Sequence, residues 1–204
     1  TTEIYTLSLH DALPICEKHS PPRDFAVWKD IVRQIVLRYQ GRVRHWEIWN
    51  EPNGQNFMKT ERSPYPTGKD GMLAAYHDIC RHSLDAIKEA GVEAQVGGPV
   101  LATWGSAAFL DKFLARADVA GQFGFLSHHI YFHAPIPNRC HPPTIRELER
   151  KHGIGPLPLF ITEWNCSSGV DEKQHPLKNS PASVGWVGKS FVNFLQWGVQ
   201  GAHF

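Results

Sequence analysis

Cysteine is sparse and scattered. Cys16, Cys80, Cys140 and Cys166 contain no Cys-x-x-Cys pair, so the usual signature of a structural zinc site is missing and no disulfide framework can be argued. The pattern leans towards a reducing compartment without fixing one. Charge of one sign is also lacking. The formal net charge is +1, and no basic stripe or RNA-binding motif occurs, which excludes a nucleic-acid partner. No apolar run approaches the roughly 20 residues of a membrane span. No Gly-rich phosphate loop follows any apolar run, which argues against a nucleotide-binding doubly wound sheet. Internal repeats and low-complexity tracts are absent as well.

What remains is an ordinary globular composition. The chain has 204 residues, 42% hydrophobic and 20% charged, enough for one domain with a real core. Trp, His, Pro and Gly are plentiful. Tryptophan faces stack well on sugar rings, although tryptophan is equally at home in a core. Thr1–Ile15 resemble the in-frame translation of a sequencing-adapter oligonucleotide. They are set apart as a non-native segment, and natural sequence is expected to begin at Cys16. On that reading the first strands and any signal peptide lie upstream, and the compartment stays open.

From there, helical and strand patterns alternate. Phe25, Trp28, Val32, Ile35, Val36 and Tyr39 recur at helical spacing, with Gly41 beyond them. Val43 to Asn50 reads as a strand. Residues 52–68 form a long Pro/Gly/Asn/Ser-rich loop. A helix follows through Leu73, Tyr76, Ile79, Cys80, Leu84 and Ile87, closed by Gly91. Cys80 reads as packing. Ala94 to Gly97 is a short strand ending in Gly97-Gly98-Pro99, and Ser106 can cap the next helix. Gly124 to Tyr131 is a strand. Thr144-x-x-Glu147 is a capping-box pattern for a helix to about Lys151. Pro158 to Glu163 is a strand, 165–180 a polar loop, and Ala182 to Trp197 a helix with Val184, Val187, Phe191, Phe194 and Leu195 on its apolar face. Gly201 to Phe204 reads as a strand just starting. Such alternation implies a parallel sheet covered by helices. About four full strands are present, so the expected fold is a partial (β/α)8 barrel.

The chemistry sits at strand tips. Glu51 closes Trp-Glu-Ile-Trp-Asn-Glu-Pro-Asn (46–53), and Glu163 closes Leu-Phe-Ile-Thr-Glu-Trp-Asn (159–165). Carboxylates at the C-terminal ends of parallel strands are where barrel enzymes keep their reacting groups. Two of them facing one site is the arrangement that glycoside hydrolysis needs. Between them lies Ser127-His-His129-Ile-Tyr131, where strand parity puts His129 and Tyr131 on one face. Glu47 shares the parity of Glu51 and is read as a structural group. His128, His129 and His133 allow a metal reading, but Pro135 interrupts the strand and no second acidic cluster is near, so no metal is expected.

Asn50-Glu51-Pro52, Ser127-His-His-Ile-Tyr131 and Thr162-Glu163-Trp164-Asn165 together resemble glycoside hydrolase family 39, in clan A, over roughly residues 16–204. The resemblance implies strands four to seven and the start of strand eight of a barrel. It implies Glu51 as acid/base and Glu163 as nucleophile of a retaining, β-xylosidase-like double displacement. It gives Asn50 to the sugar 2-hydroxyl, His129 to the bound sugar, and Tyr131 to orienting Glu163. Trp164 and Asn165 are expected to line the site, with Trp104 a weaker stacking candidate and Cys166 near the rim. The expected partner is a carbohydrate substrate, and no cofactor is required. Rival readings are another clan A activity of endo-glucanase or mannanase type, a sugar-binding module without catalysis, or an inert fragment.

Overall fold

The computed structural model describes residues 19–102, 106–131, 141–166 and 180–203. Six helices and five strands alternate among them: α1 (Phe25–Arg38), β1 (His45–Glu47), α2 (Lys69–Ala90), β2 (Gln95–Leu101), α3 (Ser106–Leu114), α4 (Ala117–Ala120), β3 (Phe125–Tyr131), α5 (Pro142–His152), β4 (Leu159–Asn165), α6 (Pro181–Gln196) and β5 (Gly201–Ala202). The strands form one sheet in chain order, β1-β2-β3-β4-β5, and every neighbouring pair is parallel. Parallel neighbours need crossovers, and the helices supply them. This is about half of a (β/α)8 barrel.

Local chemistry sets the helix ends. Asp24 caps α1, its carboxylate accepting from the Ala26 and Val27 amides at 2.8 and 3.2 Å. Trp28, Val32 and Val36, four apart, form the buried stripe of α1. The Trp28 indole donates to Ser83 Oγ on α2 at 2.9 Å, tying the two helices together inside the core. Gly91 ends α2 in the left-handed region (φ 65°). Helix α5 begins with Pro142 and ends in Arg150, Lys151 and His152, cations that suit a helix C-terminus. It opens two residues before the Thr144 capping-box position, with His141 as the N-cap residue, because prolines at 142 and 143 already favour the first helical turn. Ser106 likewise lies within α3 rather than ahead of it as a cap. The short helix α4 has too few residues to show a period in the sequence.

The two faces of the sheet differ. Trp46 and Val96 pair on the helix-covered face, as do Leu126 and Leu159, and all four belong to the main core. On the other face Glu47, Gly97 and Phe125 lie in register. The His45, Phe125 and Phe160 rings meet there at centroid distances of 5.5, 5.6 and 5.3 Å. Gly97 is obligatory in this layer. A Cβ there would lie 2.4 Å from the Phe125 ring, which is itself wedged between His45 and Phe160.

Two strand boundaries differ from the sequence pattern, and both bear on the site. The first strand leaves the ladder after Glu47, so the parity of Glu47 does not carry to Glu51. The second runs on through Gly97-Gly98-Pro99 to Leu101. It slips register by one residue between Gly98 and Leu101, and an irregularity of that kind is where a strand tolerates a proline. A further slip separates His128↔Ile161 from His129↔Glu163, leaving Thr162 as an extra residue in β4. The apolar face of α6 is only partly used. Phe194 is buried against Ile130, Ile161 and Trp164, but Val184 and Leu195 are 73% and 78% exposed, because among the described residues nothing covers the outer side of α6.

Candidate active site

The C-terminal tips of β1, β3 and β4 converge. Past Glu47 the chain still follows β2, with the Ile48 amide donating to Gly97 O at 3.4 Å and the Glu51 amide to Val100 O at 2.8 Å. Between these bonds the backbone turns sharply. Trp49 (φ 68°) and Glu51 (φ 45°) both occupy the left-handed region. Neither is glycine, so each conformation costs about 1–3 kcal/mol, a cost that surrounding contacts must offset. The Trp49 indole supplies one, donating to Phe57 O at 2.7 Å across the following loop. Asn50 lies half-buried between the two left-handed residues.

Opposite, the bulge at Thr162 re-aims the end of β4. Phe160 lies on the inner face, and in an unbroken strand Glu163, three residues on, would point the other way. The extra residue restores it to the face of His129 and Tyr131. Tyr131 then donates its hydroxyl to Glu163 Oε2 at 2.8 Å. His129 stands between the carboxylates, its Nδ1 2.8 Å from Glu51 Oε1 and 3.4 Å from Glu163 Oε2. The nearest donor atoms of all three residues lie within 4.8 Å of one another.

Burial grades across the cluster. The His129 side chain is 1% exposed, that of Glu51 14%, and that of Glu163 44%. Glu163 is thus the open member and Glu51 the sheltered one. Burial, and after it the hydrogen bond to Glu163, push the Tyr131 phenol well above its ordinary range, so it remains a proton donor to that carboxylate. Among the described residues, Glu51, His129 and Glu163 are also the one set of three such groups close enough to share a cation. His128 is buried, and His133 lies outside the described residues.

The remaining expected residues divide. Asn165 pairs with Tyr131 in the ladder, but its Oδ1 accepts from the Cys166 amide at 2.7 Å, turning back on its own chain. Trp164 is directed away from the cluster. Its ring is stacked on Trp186 at 5.5 Å and meets Phe194 edge-on at 5.2 Å, in the layer between sheet and α6. Adjacent strand residues face opposite ways, so Trp164 cannot share the face of Glu163. Cys166 is buried rather than at a rim, and Trp104 lies outside the described residues. Cys80 is wholly buried on α2, and burial pushes its thiol well above the ordinary range, as packing requires. One buried residue had no signal of its own in the sequence: Asn53, whose side chain bonds both backbone groups of Ala102 just past β2. Only its position two residues after an asparagine-glutamate pair at a strand tip could have drawn attention to it.

Comparison with known proteins places this geometry in context. The profile of glycosyl hydrolases family 39 matches residues 17–196. A β-xylosidase of Geobacillus stearothermophilus is 30% identical over 175 residues, covering 72% of this chain and 32% of the relative. A β-xylosidase of Caldicellulosiruptor saccharolyticus is 25% identical over 200 residues, covering 86% and 37%. The chain therefore spans about a third of the length of these curated relatives. Among solved structures, native xylanase 10B from Thermotoga maritima superposes with a TM-score of 0.56 at 19% identity, covering 98% of this chain and 60% of that one, a likeness of fold.

Proposed function

This chain belongs to glycosyl hydrolases family 39, and from that premise we propose that it carries the catalytic pair of a retaining, β-xylosidase-like glycosidase. Residues 16–204 are on this reading an incomplete barrel domain, with residues 1–15 standing outside it. Glu51 is the acid/base and Glu163 the nucleophile. The substrate is a β-xyloside or related plant-polysaccharide glycoside.

The observation that supports this most is the spacing of the two carboxylates about one histidine. Retaining glycosidases hold their carboxyl groups about 5–5.5 Å apart, whereas inverting ones leave about 6.5–9.5 Å for a water. A carboxylate oxygen of Glu51 and one of Glu163 lie within 4.8 Å of each other, a close approach compatible with the former. In the first step the Glu163 carboxylate attacks the anomeric carbon, the bond to the leaving oxygen breaks, and the Glu51 proton passes to that oxygen. In the second, ionised Glu51 takes a proton from water, the water oxygen attacks the same carbon, and the Glu163 carboxylate is released. Tyr131 holds Glu163 in place through its hydroxyl. His129, its side chain 1% exposed, spans both carboxylates and holds them relative to each other. Asn50 serves the 2-hydroxyl, a bond that strengthens as positive charge develops on the ring.

The test is trapping in the complete enzyme with a 2-fluoro-xyloside bearing a good leaving group, followed by peptide mass spectrometry. A sugar ester on Glu163 is the expected result. Absence of label in a folded enzyme that still hydrolyses aryl xylosides would overturn the assignment of Glu163. Absence of both label and xyloside hydrolysis would overturn the xyloside reading.

A further inference from the structure

Asn53 is buried, and its amide does what a peptide group does in a ladder. Nδ2 donates to Ala102 O at 3.0 Å, and Oδ1 accepts from Ala102 N at 2.9 Å. Ala102 directly follows β2. Two residues upstream of Asn53, the Glu51 amide donates to Val100 O at 2.8 Å. The segment from Ile48 to Asn53 thus stays fastened to β2 after the regular ladder has ended, and Asn53 is its last fastening. A side-chain amide suits this role because it offers one donor face and one acceptor face, matching a main-chain residue. Within the segment Glu51 sits at φ 45°, a conformation that a non-glycine residue leaves unless it is held. The Gly54 amide also donates to Glu51 O at 2.9 Å, so Asn53 lies inside the turn that starts at Glu51.

We propose that Asn53 is a positioning residue for Glu51: its paired hydrogen bonds to the Ala102 backbone hold the left-handed turn that directs the Glu51 carboxyl onto His129 and towards Glu163. The inference rests on the reading of Glu51 as acid/base. It assigns Asn53 no contact with substrate. The loop beyond, from residue 54, is held separately by the Trp49 indole on Phe57 O. Loss of Asn53 therefore loosens the turn at Glu51 first.

Leaving-group dependence separates this from a general structural role. Proton donation matters when the departing alcohol is a poor leaving group and hardly at all when it is a nitrophenolate of low basicity. In the complete enzyme, Asn53→Ala is expected to lose about 10- to 100-fold in kcat/KM on an alkyl or weakly activated aryl xyloside. On the dinitrophenyl xyloside it should stay within about threefold of the parent enzyme. Asn53→Asp keeps the acceptor for Ala102 N but sets a carboxylate oxygen against Ala102 O, so its loss should equal or exceed that of Asn53→Ala with the same leaving-group dependence. An equal loss on all leaving groups, or no loss, overturns the proposal. If Asn53→Ala does not fold, Asn53→Asp decides: a graded loss supports the proposal, and a uniform loss or parental behaviour overturns it. Glu51→Ala is measured alongside. Steep dependence in Glu51→Ala with none in the Asn53 variants removes the role of Asn53 alone. No dependence in Glu51→Ala removes the acid/base reading and this inference with it.

Discussion

Tyr131 and Glu163 form the most exposed polar contact of the cluster, and the hydroxyl is what distinguishes this tyrosine from a core aromatic. Tyr131→Phe keeps the ring and deletes the 2.8 Å bond. A hydrogen bond to a charged group contributes about 1.5–3 kcal/mol, so kcat should fall about 10- to 100-fold, and an unchanged kcat would exclude Tyr131 from positioning the nucleophile. Because the phenol is held well above its ordinary range, its ionisation should not shape the alkaline limb of the pH–rate profile. That limb should be the same in parent and Tyr131→Phe, and a shift of it would show that the phenol titrates in the working range. At this scale the sequence was informative wherever one residue type at one position implied one chemistry. Glu51 and Glu163 are legible from strand-tip placement, His129 and Tyr131 from parity, and the structure brings these four together. Trp164 was misplaced although parity alone excluded it from the face of Glu163. Asn53 was invisible because its partner is a backbone 49 positions away, and no side-chain pattern records that.

At the scale of elements, the packing between α2 and the helices after β2 contains a buried titratable group. His77 is stacked on Phe113 at 5.0 Å, and neither ring nitrogen has a hydrogen-bond partner among the described residues. Burial, and then the nearby Arg116, push its pKa down to about 4, with Asp118 and Asp78 opposing weakly. The unfolded imidazole takes up a proton below about pH 6.5, while the folded one resists until about pH 4. The unfolded state binds more protons in that window. Stability should therefore fall as the pH drops through it, by about 1–3 kcal/mol in total once solvent screening is allowed for. Denaturant titrations at pH 7 and pH 4.5 should show the loss, and His77→Phe should reduce it; an unchanged difference would exclude His77 as the source. A second prediction concerns the inner layer. Gly97→Ala drives a methyl into the Phe125 ring and should destabilise by about 1–3 kcal/mol, with Phe125→Leu in the same chain recovering part of the loss. Equal thermal midpoints for parent and Gly97→Ala would refute the clash. Element order and type were readable from periodicity, but the ends of β1 and β2 were not. Where a strand leaves its ladder depends on the partner strand, and neither the left-handed turn at Trp49 nor the extra residue at Thr162 has a composition signal.

Across the whole molecule, the sheet is open among the described residues. Strands β1 and β5 each have one neighbour, and α6 carries exposed Val184, Phe191, Val192 and Leu195. Unpaired parallel edges beside an apolar helix face favour association. The isolated chain is therefore expected to self-associate and to lack activity. Light scattering coupled to size exclusion checks the first point and aryl xyloside hydrolysis the second. A monomer that melts cooperatively and turns over substrate would refute both. The half-barrel itself was legible, since strict alternation of helical and strand periods leaves few other arrangements.

Strand order along the sheet matches order along the chain without exception. A polypeptide leaving the ribosome can thus dock each new strand on the one synthesised just before it, with no gap held open for a later arrival. Glu51 is delivered first, His129 and Tyr131 next, and Glu163 last. Nascent chains with β4 still inside the ribosome should already protect the amides of β2 from exchange, while those of β3 that donate towards β4, such as Leu126, and the pair of carboxylates wait until β4 has emerged.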